Sequence, residues 1–351
     1  MNQRSIRIAG RLIGADAPPF VIAEVSANHN GDLDRALAIM TAARDAGADA
    51  IKLQTYTADS ITIDHDGPEF TISGGLWDGY TLYQLYQEAH TPPDWHPALF
   101  EHGRKLGIPV FSTPFDESAV DFLEELGAPA YKIASFEAID LPLIRKAAST
   151  GKPLIISTGM ANEIEIGAAV DAARGAGCDE LVLLHCVSSY PAPADEYNLR
   201  TVADLARRFD VVAGLSDHTL GIAVAVSAVA LGAAVIEKHF TMRRSDGGPD
   251  SSFSLEPDEL AALCSQCRIA HAALGQPTYD RVGSEQGNAI FRRSLYVVAD
   301  IAAGEPFTTT NVRSIRPGHG VAPDRMRDLL GRTAPHALKR GTPVTPDLLG
   351  D

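Results

Sequence analysis

Short runs of β-branched and apolar residues recur along the chain, at positions 20–25, 50–54, 109–112, 130–134, 153–157, 181–186, 211–215 and 233–239. Their length and nearly continuous apolar character predict eight strands buried on both faces. Between them, stretches such as 33–46, 116–126 and 164–176 carry apolar residues at helical spacing, and each meets a glycine stop at Gly47, Gly127 or Gly177. Strict alternation of strand and helix predicts parallel strands joined by right-handed crossovers. Eight such units in about 250 residues fit an α/β fold of the (β/α)8 TIM-barrel type, with a doubly wound sheet as the alternative. The longest apolar stretch, 220–236, is rich in Ala and Gly, contains Ser227 and runs into Glu237-Lys238-His239. It predicts a buried helix followed by a strand and falls short of a membrane span.

A helix over 257–274 ends this pattern, and the stretch GQPTYDRVGSEQGN that follows loses all periodicity, as a linker does. The expected organisation is a barrel domain over 1–275, a linker over 276–290 and a small β-rich domain over 291–351. In the last, 294–298 predicts a strand, the remainder short extended pieces and turns, with one helix-like run near 324–331. A module of this size buries little apolar area alone and is expected to dock on a barrel, its own or a partner's.

Composition narrows the function. The 351 residues include 30 Lys and Arg against 45 Asp and Glu, a formal net charge of −15. No basic run offsets this acidity, which argues against nucleic acid or an anionic membrane surface as partner. The first residues, MNQRSIRIAGRLIG, lack the apolar core of a signal peptide, so a cytoplasmic location is expected. Four cysteines are too few for a disulfide scaffold, and Cys264-x-x-Cys267 stands in a helical pattern without a second ligand pair.

In a barrel of this type the chemistry lies at the C-terminal ends of the strands. Those ends carry Glu24; Lys52 and Gln54; Ser112 and Thr113; Lys132, Ser135 and Glu137; Ser157 and Thr158; His185, Ser188 and Tyr190; Ser216 and His218; and Glu237 and His239. A single Ser or Thr there needs no function, since strands end at water. Two lysines inside apolar strands, in Ile51-Lys52-Leu53 and Tyr131-Lys132-Ile133, are different, because an unpaired buried ammonium is costly. With the neighbouring hydroxyls they point to a small phosphate or carboxylate ligand held by charge-assisted hydrogen bonds. His218 and His239, on consecutive strands, are candidates to share one divalent metal with open coordination positions. His185, flanked by core residues, is read as structural. Glu24, Glu137, Glu237 and Asp250 are the candidates for proton transfer and hydroxyl binding, and spacing does not choose among them.

These residues sit in motifs that resemble the sialic acid synthase family of phosphoenolpyruvate-condensing enzymes, which carry an antifreeze-like (SAF, β-clip) C-terminal domain. The resemblance runs nearly end to end through IAEVSANHNGD, AIKLQTY, FSTPFD, YKIAS, IISTGM, LLHCVSSYPAP, LSDHTLG, EKHFT, GGPDSSFSLEP and IRPGHG. The segment WDGYTLYQLYQEAHTPPDWHPALF is similar to the pseudaminic branch in particular. The resemblance implies a transferase that condenses phosphoenolpyruvate with an open-chain acetamido sugar. For that branch the sugar is 2,4-diacetamido-2,4,6-trideoxy-L-altrose. It implies that Lys52, Thr113, Lys132, Ser135, Ser157 and Ser216 bind phosphoenolpyruvate. His218 and His239 would bind Mn2+, with Mg2+ or Co2+ as substitutes, and Glu24, Gln54, Glu137, Tyr190 and Asp250 would face the sugar. Arg316 would reach over from the partner in a domain-swapped homodimer. Where the neuraminic branch has Asn, this chain has Ser188, a departure that fits a different branch of the family. Trp77, Tyr80, Tyr83 and Trp95 are read as core aromatics in preference to a wall for a 6-deoxy methyl group. Acceptors of the neuraminic and legionaminic branches, a Schiff-base aldolase built on Lys52 or Lys132, and a non-catalytic sugar-binding protein are the competing readings.

Overall fold

The computed structural model describes residues 4–350, and the chain divides into two compact units, Met1–Gly275 and Gln276–Asp351. The first opens with an antiparallel hairpin of β1 (Ser5–Ile8) and β2 (Arg11–Gly14). Its turn residues Ala9 and Gly10 have φ of 47° and 83°, the left-handed pair that a tight two-residue hairpin turn requires.

Eight parallel strands follow: β3 (Phe20–Glu24), β4 (Ala50–Thr55), β5 (Val110–Pro114), β6 (Tyr131–Ile133), β7 (Leu154–Ser157), β8 (Leu181–Cys186), β9 (Val212–Asp217) and β10 (Val235–His239). β10 pairs with β3 as well as β9, which closes the sheet into a barrel and rules out the doubly wound alternative. The stretch 220–236 becomes helix Ala223–Ala230 and then β10, as its pattern predicts. Several helices begin where a side chain can accept the free backbone N–H groups of the first turn. Asp32 caps Leu33–Asp45, Asp116 caps Glu117–Glu125 and Asn162 caps Glu163–Gly175. No helix among the described residues is long and apolar enough to cross a membrane.

Because side chains alternate across a strand, each barrel strand serves two environments. Outward residues such as Val21, Ile51, Ile133 and Ile236 pack with the helices in one large core, together with Ile39, Leu99 and Ile144. Inward residues at the strand starts, among them Phe20, Ala50, Phe111, Ala130, Val182 and Val235, form a second core joined by Ile6, Ile8 and Ile13 of the hairpin. The hairpin therefore plugs the N-terminal end of the barrel. Gly214 faces this interior, where a Cβ would collide with the Val235 carbonyl and the Leu184 side chain. The barrel interior is thus filled from its N-terminal end and open to chemistry at its C-terminal end.

The second unit pairs β11 (Ser294–Val297) with β12 (Val312–Ile315) in an antiparallel ribbon. Isolated bridges Tyr296–Pro343, Ile301–Leu338 and Pro306–Thr333 extend it around a core of Leu295, Val297, Phe307, Val312, Leu329 and Val344. The stretch read as a linker, 276–290, overlaps a 3-10 helix, Gly283–Phe291, none of whose residues is buried.

Candidate active site

Inward-facing positions change from apolar to polar along seven of the eight barrel strands, β8 keeping Val182, Leu184 and Cys186. Ile22 gives way to Glu24, Ala50 to Lys52, Phe111 to Thr113, Ala130 to Lys132, Ile155 to Ser157, Val212 and Gly214 to Ser216, and Val235 to Glu237 and His239. Since parity sends alternate residues to one face, these polar side chains share the barrel interior at its open end. Barrel register sets Glu24 beside Lys52, and His239 beside Glu24.

The two lysines are buried and paired. Lys52 Nζ contacts Glu24 Oε2, donates to Thr113 Oγ1 at 3.2 Å and lies 3.8 Å from Glu237 Oε1. Lys132 Nζ donates to Ser157 Oγ at 2.7 Å and to the Ile133 carbonyl at 3.1 Å, with Glu237 Oε1 at 3.7 Å. Ser216 Oγ donates to the same Glu237 oxygen at 3.2 Å. Glu237 thus bridges both ammonium groups. Burial works against its charge, but the two lysines win and hold its carboxyl below the usual range. Burial has the upper hand at Glu24, which is raised to about 7 even though Lys52 touches it. Burial also opposes the charge on Lys52, yet Glu237 and Glu24 outweigh it and raise that amine, whereas burial lowers Lys132. Two carboxylates around one cation pair are thus pushed in opposite directions, Glu237 held as the anion and Glu24 raised toward its protonated form.

Next to this centre, Ser26 has φ of 45°, a left-handed conformation rare for serine, and is buried. It links three predicted residues: its N–H donates to Glu24 Oε1 at 2.8 Å, its hydroxyl donates to Asp250 Oδ2, and Gln54 Nε2 donates to that hydroxyl at 3.0 Å. The sequence reading passes over Ser26; its signal was an i, i+2 relation to Glu24 just beyond a strand end. Glu137 is also raised to about 7 by burial, and its Oε2 is buried without a hydrogen-bond partner. The hydroxyls of Ser188 and Ser135 converge on Gly159, where a Cβ would collide with both. Ser188 Oγ is likewise buried and unpartnered. The serine that departs from the neuraminic pattern therefore still presents a free hydroxyl to the mouth.

The histidine pair has its own geometry. The rings of His218 and His239 are 5.4 Å apart at 64°. Nδ1 of His218 donates to the Val187 carbonyl at 3.0 Å, so the neutral ring carries its lone pair on Nε2. Nδ1 of His239 is buried with no hydrogen-bond partner, 3.9 Å from Asp250 Oδ2, and burial holds the ring well below its ordinary pKa, hence neutral. An orphaned neutral imidazole beside a carbonyl-oriented one fits a divalent metal. Among the described residues no three His, Cys, Asp or Glu side chains gather into a metal-binding group, so any ion here would draw its other ligands from water and substrate. His185 bonds instead to the Tyr197 carbonyl, the structural role expected of it.

Tyr190 packs 4.4 Å from the His218 ring and 5.3 Å from Phe253, centroid to centroid. Of the four aromatics read as core, Trp95 alone packs against the core. Trp77 instead stands 5.7 Å from Tyr190, while Tyr80 is exposed with its hydroxyl on Glu88, and Tyr83 bonds Asp59. The segment that carries Trp77, Tyr80 and Tyr83 is a loop and a short helix, Leu82–Ala89, whose one buried residue is Leu85, so it offers these rings little core to join. Arg316 belongs to the second unit, where it is exposed at the cis Arg316-Pro317 peptide.

Comparison with known proteins bears on this site. Residues 39–279 match the NeuB family and residues 292–350 the SAF domain. The chain is 45% identical over 326 residues to the pseudaminic acid synthase of Campylobacter jejuni, covering 93% of this chain and 95% of that one. It is 41% identical to the N,N'-diacetyllegionaminic acid synthase of the same species, covering 90% and 95%. Among solved structures, the N-acetylneuraminic acid synthetase of Leptospira borgpetersenii in complex with citrate superposes with a TM-score of 0.73 at 34% identity, covering 82% and 95%. A closed eight-stranded barrel with this mouth, followed by a SAF domain, belongs to the NeuB family, and this chain is a member of it.

Proposed function

We propose that the chain is a transferase that condenses phosphoenolpyruvate with open-chain 2,4-diacetamido-2,4,6-trideoxy-L-altrose to give pseudaminic acid and inorganic phosphate. The observation that carries this reading is the buried Lys52–Lys132 pair bridged by Glu237, beside an orphaned imidazole, in a chain 45% identical to a pseudaminic acid synthase over 93% of its length. Phosphoenolpyruvate carries a carboxylate and a phosphate, and the two ammonium groups with the hydroxyls of Thr113, Ser135, Ser157, Ser188 and Ser216 supply matching donors. Carbon 3 of phosphoenolpyruvate attacks the aldehyde carbon, cationic character develops at carbon 2, water adds there, and phosphate leaves with cleavage of the C–O bond. A divalent ion on His218 and His239, Mn2+ first and Mg2+ or Co2+ as substitutes, would polarise the aldehyde oxygen as a Lewis acid. Glu24, raised to about 7, exchanges the proton near carbon 2, because its two protonation states are close in energy at neutral pH. Glu137, Gln54, Asp250 and Tyr190 face the sugar.

The barrel rim supports a second subunit. Phe136, Ile139, Met160, Ile164 and Leu220, in the segments after β6, β7 and β9, are all exposed, Ile164 by 83%. Loops around a mouth seldom expose this much apolar surface in a monomer. A homodimer in which the partner's SAF domain covers this rim and brings its own copy of the Arg316 guanidinium to an acetamido group would bury it. We place the reaction in the cytoplasm, where phosphoenolpyruvate is made.

The decisive experiment measures phosphate release from phosphoenolpyruvate with Mn2+, comparing the altrose with N-acetylmannosamine and the legionaminic precursor, with and without EDTA. Release with the altrose that EDTA abolishes is expected. Release with another acceptor alone would move the chain to a neighbouring branch, and borohydride trapping of a pyruvate adduct would move it to Schiff-base chemistry. Light scattering of the purified chain tests the dimer.

A further inference from the structure

The segment after β4 is built to hold one aromatic ring over the site. Thr71 and Thr81 form an antiparallel bridge, Ile72 N–H donates to the Tyr80 carbonyl at 2.8 Å and Gly79 N–H to the Ile72 carbonyl at 3.0 Å. The result is a small hairpin whose turns rely on Gly74, Gly75 and Gly79 at φ of 81°, 78° and 86°. Trp77 stands near its tip. The indole Nε1–H donates to the Pro249 carbonyl at 3.2 Å, next to the site carboxylate Asp250, and the ring lies against Tyr190, which lies against His218. One hydrogen bond thus latches the hairpin to the loop after β10 and sets Trp77 two rings away from the metal-binding candidate. The only polar atom of the indole is spent on Pro249, so the ring has nothing left to offer a hydroxyl.

Resting on the condensing function above, we propose that the Trp77 indole, seated against the ring of Tyr190, forms the apolar wall that receives the deoxygenated C6 end of the acceptor and so selects 6-deoxy over 6-hydroxy sugars. An open-chain acceptor anchored by its aldehyde at the histidines extends away from them, and the wall stands on that path. A methyl group gains burial there, whereas a hydroxyl loses its water and finds no partner on the indole. A pocket of this kind discriminates by about tenfold or more.

The test compares kcat/KM for the altrose acceptor and for its 6-hydroxy counterpart, 2,4-diacetamido-2,4-dideoxy-L-altrose, in the wild type, Trp77→Ala and Trp77→Phe. The expected result is a ratio that falls about tenfold in Trp77→Ala and is largely kept in Trp77→Phe, with KM for phosphoenolpyruvate unchanged in both. Equal loss on both sugars, leaving the ratio at its wild-type value, would overturn the proposal and reduce Trp77 to a cover. A wild type that uses both sugars equally would overturn it as well while leaving the condensing function intact. A wild type that uses neither would overturn the function itself.

Discussion

Between the two candidate metal ligands runs a buried ion pair that touches neither the ligand site nor water. Asp217 precedes His218 and Lys238 precedes His239, and both side chains are 0% exposed. Strand parity turns them outward, between neighbouring strands β9 and β10, while the histidines face the interior. Lys238 Nζ donates to Asp217 Oδ2 at 2.8 Å and to the Thr219 carbonyl, while Asp217 Oδ1 accepts from Thr219 N at 2.9 Å and its hydroxyl at 2.8 Å. The pair therefore fixes the exit of β9, and with it His218, against β10. Replacing Lys238 with Met strands a buried carboxylate. Breaking such a pair costs about 3–5 kcal/mol, and the two bonds Asp217 keeps from Thr219 put the expectation at the lower end, about 3 kcal/mol. Urea unfolding followed by tryptophan fluorescence reads the barrel unit alone, because Trp77 and Trp95 both lie in it. The double variant Lys238→Met/Asp217→Asn, which no longer buries an unpaired charge, should be more stable than Lys238→Met by at least about 1 kcal/mol, and Mn2+ affinity should fall in both. A Lys238→Met variant within about 1 kcal/mol of wild type, or strict additivity once Asp217→Asn completes the cycle, would refute the reasoning.

Three further outcomes follow from the site. Glu24→Gln should lower kcat by about 10²-fold or more while KM for phosphoenolpyruvate changes little, as steady-state phosphate release would show; full turnover would sink the proton-transfer role. Glu137 is raised from 4.5 to about 7, so it binds its proton more tightly folded than unfolded, and its contribution to stability is complete below pH 4.5 and lost as pH rises through 7. Glu137→Gln, measured without substrate, should therefore gain up to about 3 kcal/mol over wild type between pH 4.5 and pH 8, and a pH-independent difference in melting would contradict this. Gly159→Ala pushes a methyl group onto the Ser135 and Ser188 hydroxyls. KM for phosphoenolpyruvate should rise at least several-fold with the circular dichroism unchanged, and an unaltered KM would remove those hydroxyls from the binding site.

Much of this protein was legible in one dimension because the information is periodic. Eight apolar runs separated by glycine-stopped helices specify parallel strands and crossovers, and closure into a barrel is how such a set leaves no edge. The same periodicity of two sorts polar residues at strand ends into those that share the interior, which is why Lys52, Lys132, Ser216 and His239 were found from the sequence. The hairpin of residues 5–14 escaped notice because two four-residue strands give too short a window for a pattern, and its isoleucines matter only once there is a barrel end to plug.

What the tertiary structure alone decided is pairing. Sequence shows that a buried lysine needs a partner but not which one, because partners such as Glu237 lie 105 to 185 positions away and meet the lysines only through barrel register and packing. Glu24 and Glu237 are both strand-end glutamates with nothing local to tell them apart; burial and the neighbouring Glu237 charge raise Glu24, whereas both lysines outweigh burial at Glu237 and lower it. Ser26 and Trp77 gain their roles from contacts with Asp250 and Pro249, supplied by a loop more than 170 residues further along. Local pattern determines which residues are buried and on which face, since that depends on neighbours along the chain. The energies that choose a base, a metal ligand or a specificity wall act through space, over a few ångströms, between residues the chain keeps far apart.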